Sequence, residues 1–232
     1  MYNHTSAPPT KCPRCQCETF VKNGKNNNKQ RYKCKQCTYN FSIDKLKHGI
    51  DQHYVKQCLQ LYLEGMGFRA IERVVGVSHV SVINWVKQYG KALKKVTESG
   101  KNISAVELDE LCSYVGSKKK LWIWLAVDRA DKQVLGFTLG DRSAETGDKL
   151  YKALKDFEIS SYYTDYWTAY ESMLYKEHHV QSKAATYTVE NMNGLVRHYL
   201  ARFQRRSKCY SKSIAMVEYS LKLLFNKLSI KN

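Results

Sequence analysis

Residues 103–139 read ISAVELDELCSYVGSKKKLWIWLAVDRADKQVLGFTL, and their pattern indicates the fold class of the longer part of the chain. It contains three segments rich in apolar and β-branched residues, which predict strands at 103–115, 121–127 and 134–139. Short segments with Gly, Ser or Asp separate the three strands and predict turns between them. Connections this short favour antiparallel neighbours in one sheet.

The pattern changes from strands to helices after residue 140. A helix is predicted at 145–157, a short strand at 160–164, and largely helical structure over 188–228. Three antiparallel strands, a helix, a further strand and then helices indicate an α/β fold of the ribonuclease-H-like kind. The polar run KALKKVTESGK before this part places a domain boundary near residue 100. The predicted domains are 1–48, 49–100 and 101–232.

The balance of charge predicts a polyanionic partner. The 232 residues include 38 Lys and Arg against 21 Asp and Glu, a net charge of +17, and residues 1–100 alone have 17 basic and 6 acidic residues. Nucleic acid is the usual partner of such a chain, although an anionic membrane surface would attract it too. The 43% hydrophobic content excludes a largely disordered chain. Without an apolar run of about 18 residues or a signal peptide, we expect no membrane contact and a cytoplasmic, nucleoid-associated protein.

Four of the eight cysteines have the spacing of a zinc site. Cys12, Cys15, Cys34 and Cys37 form a C-x2-C-x18-C-x2-C pattern, which predicts a zinc ribbon holding one structural Zn²⁺ on four thiolates. The residues between the pairs are expected to form a hairpin, and Cys17 is expected to lie outside the site. Two disulfides are the alternative, and the lack of a signal peptide argues against them.

A helix-turn-helix is predicted between residues 68 and 88. The stretch FRAIERVV predicts a short helix at 68–75, Gly76 a turn, Ser78 an N-cap, and 79–88 a second helix. Apolar residues fall where such a pair of helices needs contacts, although an ordinary helical hairpin has the same pattern. Four residues of the second helix are predicted to face DNA: His79, Ser81, Asn84 and Lys87.

Three carboxylates are candidates for a catalytic metal site. Asp109 lies within the first predicted strand, Asp165 ends the strand after the helix, and Glu190 opens a later helix. If they converge, they suit two Mg²⁺ or Mn²⁺ ions that assist phosphoryl transfer. Taken singly, Asp165 has the alternative role of a helix cap and Glu190 that of a charge suited to a helix N-terminus. Three other acids compete for the same role: Glu107, Glu110 and Asp128.

Several of these segments also resemble the catalytic half of the insertion-sequence-one family of bacterial transposases. They are LDELCSYVG at 108–116, TDYWTAY at 164–170, VENMNGLVRHYLAR at 189–202 and YSKS at 210–213. The resemblance implies a DDE transposase with a ribonuclease-H-like core and Asp109, Asp165 and Glu190 as its acidic triad. Arg197 matches a basic position of the family, two helical turns after Glu190. Cys112 departs from the pattern, which has an aromatic residue there.

The resemblance implies a mechanism on double-stranded DNA. The N-terminal modules would bind terminal inverted repeats, and the metal site would cleave the 3′ ends and transfer them into target DNA. Holding two ends together implies a homo-oligomer, at least a dimer. A transcriptional regulator and a nuclease without strand transfer are the alternatives. The basic segment 191–217 supplies further predicted DNA contacts: Arg202, Arg205 and Arg206.

Overall fold

The computed structural model describes residues 10–12, 14–26, 29–42, 52–93, 100, 102–116, 119–174, 176–204 and 209–230. The chain divides into two compact units, residues 1–52 and residues 53–232. Each unit has its own hydrophobic core. No helix in the described ranges has the length and apolar character needed to cross a lipid bilayer.

The first unit is built on a small antiparallel sheet. Its strands are β1 (Phe20–Asn26), β2 (Lys29–Cys34) and β3 (Asn40–Ser42), with β2 in the middle. The hairpin predicted between the two cysteine pairs is therefore confirmed. Among the described residues of this unit, few hydrophobic side chains are buried: Cys12, Tyr32, Cys34 and Phe41. A core this small needs further stabilisation. A chain of this length loses more conformational entropy on folding than the burial of four side chains offsets.

The second unit begins with three helices. They are α1 (Gln52–Tyr62), α2 (Phe68–Val75) and α3 (His79–Ala92). The predicted helix bounds at 68–75 are confirmed, and the following helix runs four residues beyond its predicted end. Gly76 ends α2 with φ +78°, a backbone conformation that favours glycine. Ser78 caps α3, since its Oγ accepts a hydrogen bond from the Val80 N–H.

A five-stranded mixed sheet forms the centre of this unit. Its strands, in chain order, are β5 (Val106–Val115), β6 (Lys119–Asp128), β7 (Val134–Gly140), β9 (Tyr162–Thr164) and β10 (His179–Gln181), and a separate pair consists of β4 (Asn102–Ile103) and β8 (Glu158–Ile159). The order across the large sheet is β10-β9-β5-β6-β7. The first three strands are antiparallel, whereas β9 is parallel to β5 and β10 is parallel to β9.

Both faces of the large sheet are covered by helices. The remaining helices are α4 (Ala144–Leu154), α5 (Ala169–Met173), α6 (Tyr187–Tyr199) and α7 (Ile214–Ile230), with 3₁₀ turns at 176–178, 183–185 and 201–203. Leu111 and Leu125 pack with α6, α7 and the first three helices. Leu108 and Trp124 face the other way and pack with α4 and α5. Alternate residues of β5 therefore lie in two different cores.

The first predicted strand is interrupted in the structure. We predicted one strand over 103–115, but Ile103 pairs with Ile159 of β8, and β5 begins at Val106. The Ser104 carbonyl accepts a hydrogen bond from the Ser161 hydroxyl at this break. A single run of apolar residues contains no signal for the break, because it depends on a partner strand about 55 residues away in the sequence.

Helix α3 lies unusually close to α7. A Cβ placed on Gly90 would lie 2.5 Å from the Cβ and 2.8 Å from the Cα of Tyr219. The Lys227 ammonium also donates to the Leu63 carbonyl, 2.9 Å away, just after α1. The first three helices thus share one core with the C-terminal helix.

Two helical glycines give a matched test of this close contact. Replacing Gly194 of α6 with Ala should raise the free energy of unfolding by about 0.5–1 kcal/mol, since nothing lies within 4 Å of the added Cβ. Replacing Gly90 with Ala should instead lower it by about 1–3 kcal/mol, because backbone atoms of Tyr219 must move. Urea unfolding of the two variants measures both values. Equal stabilisation by both would show that α3 and α7 do not meet at Gly90.

Candidate active site and cysteine cluster

The four predicted zinc ligands lie together in the first unit. The Sγ atoms of Cys12, Cys15, Cys34 and Cys37 all lie within 4.8 Å of one another. Cys12 and Cys37 have sulfurs 3.7 Å apart, and Cys15 and Cys34 have sulfurs 3.5 Å apart. All four are free cysteines, so the disulfide alternative is not what the structure has. A tetrahedral zinc ion with Zn–S bonds of about 2.3 Å separates its sulfurs by roughly 3.8 Å, which fits this cluster.

The backbone turns in the same left-handed conformation after each cysteine pair. Gln16 follows the first pair with φ +61°, and Thr38 follows the second with φ +57°. Burial raises the pKa of Cys12, but hydrogen bonds from the backbone N–H groups of Cys15 and Arg14 and from the Cys37 and Cys15 side chains together lower it to about 7. These N–H groups favour a thiolate, the form in which sulfur binds metal. Cys17 turns away, with its sulfur 2.8 Å from the Thr19 hydroxyl.

Asp109 sits in the middle of β5, on the face covered by α6. Its Oδ2 accepts a hydrogen bond from Asn193 Nδ2 on α6 at 2.8 Å, and its Oδ1 accepts the Glu110 backbone N–H at 2.8 Å. Burial, followed by the neighbouring carboxylates of Glu110 and Asp165, raises the pKa of Asp109 to about 6. A carboxylate kept in such surroundings is a candidate for function rather than stability.

Asp165 follows β9 directly and comes close to Asp109 because of the strand register. In the parallel pairing of β5 with β9, Glu107 lies opposite Tyr163. Asp109 and Asp165 each lie two residues further on, so they belong to the same level of the sheet. Asp165 Oδ1 accepts the Trp167 backbone N–H at 2.9 Å, which orients the carboxylate at the end of the strand.

Glu190 belongs to the first turn of α6 and is exposed. Its Oε1 lies 3.5 Å from the Thr186 hydroxyl. Asn193, which contacts Asp109, lies three residues further along the same helix, so α6 brings Glu190 to the side of the sheet that carries Asp109. Arg197, one further helical turn along, is half-buried.

Asp109 and Asp165 lie close enough to interact electrostatically, but the three acids do not form a tight cluster of ligand atoms. Within the described residues, three or more ligand atoms of His, Cys, Asp or Glu lie within 4.8 Å of one another only in the cysteine cluster. The donor set nevertheless suits a hard cation, because like charges at Asp109 and Asp165 would be neutralised by it. In addition, no donor in the described part of the chain reaches the buried Oδ1 of Asn193, beside Asp109.

The competing acids have other partners. Asp128 is 2% exposed and accepts the Ala130 N–H at 2.9 Å, as a turn residue does. Glu110 points to the opposite face, where Arg142 donates to it at 3.0 Å. The Arg142 guanidinium in turn lies 4.0 Å from the centre of the Trp167 ring. Glu107 is fully buried and bound by three donors, a role that the sequence reasoning did not assign.

The predicted DNA contacts of α3 differ in exposure. Asn84 and Lys87 are exposed, and Ser81 is half-buried. His79 Nδ1 lies 2.8 Å from Oε2 of Glu72 on α2, so its ring is engaged within the turn. The His79 backbone N–H and ring lower the pKa of Glu72. Asn84 and Lys87 are therefore the members of the predicted set that the structure leaves available.

The predicted DNA contact at Arg202 needs correction. Its side chain is 8% exposed, and its Nε donates to the Tyr62 hydroxyl at 2.8 Å. A further guanidinium nitrogen donates to the Ser211 hydroxyl, and the Tyr62 hydroxyl also lies 2.7 Å from Ser220 Oγ. Arg202 thus joins α1 to the C-terminal segment, because its donors are used inside the protein. The predicted contacts at Arg205 and Arg206 lie outside the described residues.

Comparison with known proteins agrees with these features. A protein-family model described as IS1 transposase matches residues 102–230, more than half of the chain. The chain belongs to the IS1 transposase family. Insertion element IS1 protein InsB of Shigella flexneri is 36% identical over 131 residues, which are 56% of this chain and 98% of the relative. Insertion element IS1 4 protein InsB of Escherichia coli K12 is also 36% identical over 131 residues, 77% of its length.

One solved structure also aligns with this IS1 transposase. It is titled CryoEM structure of simian T-cell lymphotropic virus intasome in complex with PP2A regulatory subunit B56 gamma. The alignment covers 72% of this chain and 66% of that one, with 13% identity and a TM-score of 0.40. Similarity at that level is too low to indicate a shared fold or function. Family membership is what implies an enzyme that binds, cleaves and transfers DNA.

Proposed function

We propose that this IS1-family transposase binds the terminal inverted repeats of a mobile element, cleaves the 3′ ends and transfers them into target DNA. The observation that carries the proposal is the approach of Asp109 and Asp165 from neighbouring parallel strands, with α6 bonded to Asp109. The sheet order supports a ribonuclease-H-like core. If the five strands are numbered 1 to 5 along the chain, their order across the sheet is 3-2-1-4-5. Strands 1, 2 and 3 are antiparallel to their neighbours among these three.

The proposed catalytic residues are Asp109, Asp165 and Glu190, which would hold Mg²⁺ or Mn²⁺. Bound there, two such ions would activate the attacking oxygen and stabilise the leaving oxygen of a phosphodiester. The chain's own residues do the positioning. Asn193 orients the Asp109 carboxylate through a hydrogen bond, and the Trp167 N–H orients Asp165. Arg197, seven residues after Glu190, is proposed to contact the DNA backbone, since a guanidinium matches phosphate oxygens in geometry.

The N-terminal parts are proposed to hold the repeat. The cysteine cluster would form a zinc ribbon, and α2 with α3 a helix-turn-helix whose Asn84 and Lys87 approach DNA. The net charge of +17 would strengthen this binding and make it sensitive to salt. Because two element ends must be joined to one target, we propose that at least two copies of the chain act together.

A strand-transfer assay tests the proposal. The full chain would be incubated with Mg²⁺, a supercoiled target plasmid and labelled DNA fragments carrying the ends of the element that encodes it. We expect nicked ends first and then fragments joined to the plasmid. Nicked ends without joined products would favour the nuclease alternative, and binding without either product would favour the regulator. Unrelated fragments of equal length serve as the control for specific recognition.

A further inference from the structure

Glu107 has a fully buried carboxylate that accepts hydrogen bonds from three donors. Its Oε2 accepts the backbone N–H groups of Thr188 at 2.7 Å and Val189 at 2.9 Å, in the first turn of α6. Its Oε1 accepts Nε of Arg129 at 2.8 Å. The side chain is 0% exposed. A buried charge is costly unless it is paired and hydrogen-bonded, and here both carboxylate oxygens are bonded.

Arg129, the partner of Glu107, also contacts the segment before α6 and strand β9. One of its terminal nitrogens donates to the Ala185 carbonyl at 2.5 Å, in the segment that leads into α6. Its guanidinium lies 4.0 Å from the centre of the Tyr163 ring on β9 and 5.5 Å from that of Tyr187. The ion pair therefore contacts β5, β9 and the start of α6, the three elements that carry the proposed catalytic acids.

The residues that make these contacts are close in sequence to the proposed catalytic acids. Glu107 is two residues before Asp109 on β5, so the two side chains share a face of that strand. Tyr163 of β9 is two residues before Asp165, which follows that strand directly. Val189 directly precedes Glu190. A carboxylate suits this place, because the first N–H groups of a helix have no partner within the helix and attract negative charge. An apolar residue at 107 would leave the Thr188 and Val189 N–H groups buried without an acceptor.

We propose that the Glu107–Arg129 pair positions the three acids relative to one another and that Glu107 is not itself a metal ligand. The proposal rests on the proposed function, since it assigns the supporting residues of that site. Glu107 lies on the same strand face as Asp109 and would be the natural fourth acid of a metal site. Its bonds to the α6 backbone and to Arg129 occupy both of its oxygens instead.

The test compares the full chain carrying Glu107→Gln with the Glu218→Gln control. Glu218 forms an ion pair with Lys222 on α7, so the control also removes one charge and one ion pair. The first readout is amide hydrogen exchange of the metal-free protein. We expect exchange at 186–193 to be at least about tenfold faster in Glu107→Gln, because an amide is a weaker acceptor than a carboxylate, and unchanged in the control.

The second readout is Mn²⁺ binding, which is measured by electron paramagnetic resonance of the free ion. We expect about 10- to 100-fold weaker binding in Glu107→Gln with unchanged stoichiometry, as for other residues that orient ligands. Arg129→Lys keeps the charge but loses the forked geometry and the ring contact, so it should give the same changes to a smaller degree. This variant carries the test if Glu107→Gln does not fold.

Each outcome decides the matter. Wild-type exchange and wild-type Mn²⁺ affinity in both variants would overturn the proposal. Loss of one bound Mn²⁺ without faster exchange would also overturn it, because Glu107 would then be a ligand. A wild-type chain that binds no Mn²⁺ would overturn the proposed function together with this inference. If the wild type binds Mn²⁺ and the variants match it, only the inference fails.

Discussion

The Asp165→Asn variant is expected to lose DNA cleavage and to keep DNA binding. Loss of one proposed metal ligand should lower the initial rate of end cleavage by about 10³-fold or more. The substitution keeps the shape of the side chain, and the Asn oxygen can still accept the Trp167 N–H. The affinity for repeat DNA should change by less than about threefold, since the proposed DNA-binding helices lie elsewhere in the chain.

The control for Asp165→Asn is a charge change away from the site. Glu145→Gln removes one exposed carboxylate from the first turn of α4 and should leave both cleavage and binding near wild-type values. Cleavage is measured from gels of end-labelled fragments, and binding from fluorescence anisotropy at the same salt concentration. Equal loss of binding and cleavage in Asp165→Asn would argue against separate binding and catalytic residues. Unchanged cleavage would remove Asp165 from the proposed triad.

The same variant should also change the titration of Asp109. Burial is the largest cause of its raised pKa, and the carboxylates of Glu110 and Asp165 add to it. Removing the Asp165 charge should therefore lower the pKa of Asp109 below its wild-type value of about 6, while burial keeps it above that of an exposed aspartate. Carbon-detected NMR of the side-chain carboxyl of Asp109 follows this shift in the metal-free protein.

The second large effect is expected on removing zinc from the first unit. A structural zinc ion contributes folding free energy directly, about 10–16 kcal/mol in small zinc-binding peptides. In the part of this unit that the structure describes, the apolar core consists of two cysteines, Tyr32 and Phe41, with a few half-buried neighbours. Cys34→Ser, or treatment of the wild type with a strong chelator, should therefore abolish zinc binding and unfold the sheet β1–β3. We expect repeat DNA binding to fall with it.

Cys17→Ser is the matched control for this prediction. Cys17 lies two residues from a cluster cysteine, but its sulfur contacts Thr19 rather than the four thiols. The control should keep one zinc ion per chain by mass spectrometry and the dispersed amide NMR signals of the sheet. A sheet that stays folded in Cys34→Ser, or equal loss of zinc in Cys17→Ser, would contradict the assignment of Cys12, Cys15, Cys34 and Cys37 as ligands.

Much of the local structure follows from short stretches of sequence. The bounds of α2 follow from its apolar spacing, and its end from Gly76, whose φ of +78° favours glycine. The strands near 121–127 and 134–139 follow from their apolar runs. Cys12, Cys15, Cys34 and Cys37 are near enough in the chain for their spacing alone to predict that they gather. Such features depend on neighbours within about 25 residues.

Other features depended on contacts between distant residues. Arg202 lies in a basic segment and was predicted to face DNA, yet Tyr62, 140 positions earlier, accepts its hydrogen bond. Glu107 looked like a competitor of Asp109, and only its contact with the start of α6, 81 positions later, reveals a supporting role. A charge has the same local pattern whether it is solvated or paired in the interior, and its energy depends on the partner.

Sequence alone was sufficient to predict the bounds of α2, the strands near 121–127 and 134–139, the cysteine cluster and the family of the chain. Each of these features depends on local spacing or on matching residues. The proximity of Asp109 and Asp165 depends instead on tertiary contacts. The parallel pairing of β5 with β9 brings Asp165 beside Asp109, and the Asn193 hydrogen bond brings in α6. Strand register and helix docking are set by packing across the whole second unit, and no short segment specifies them.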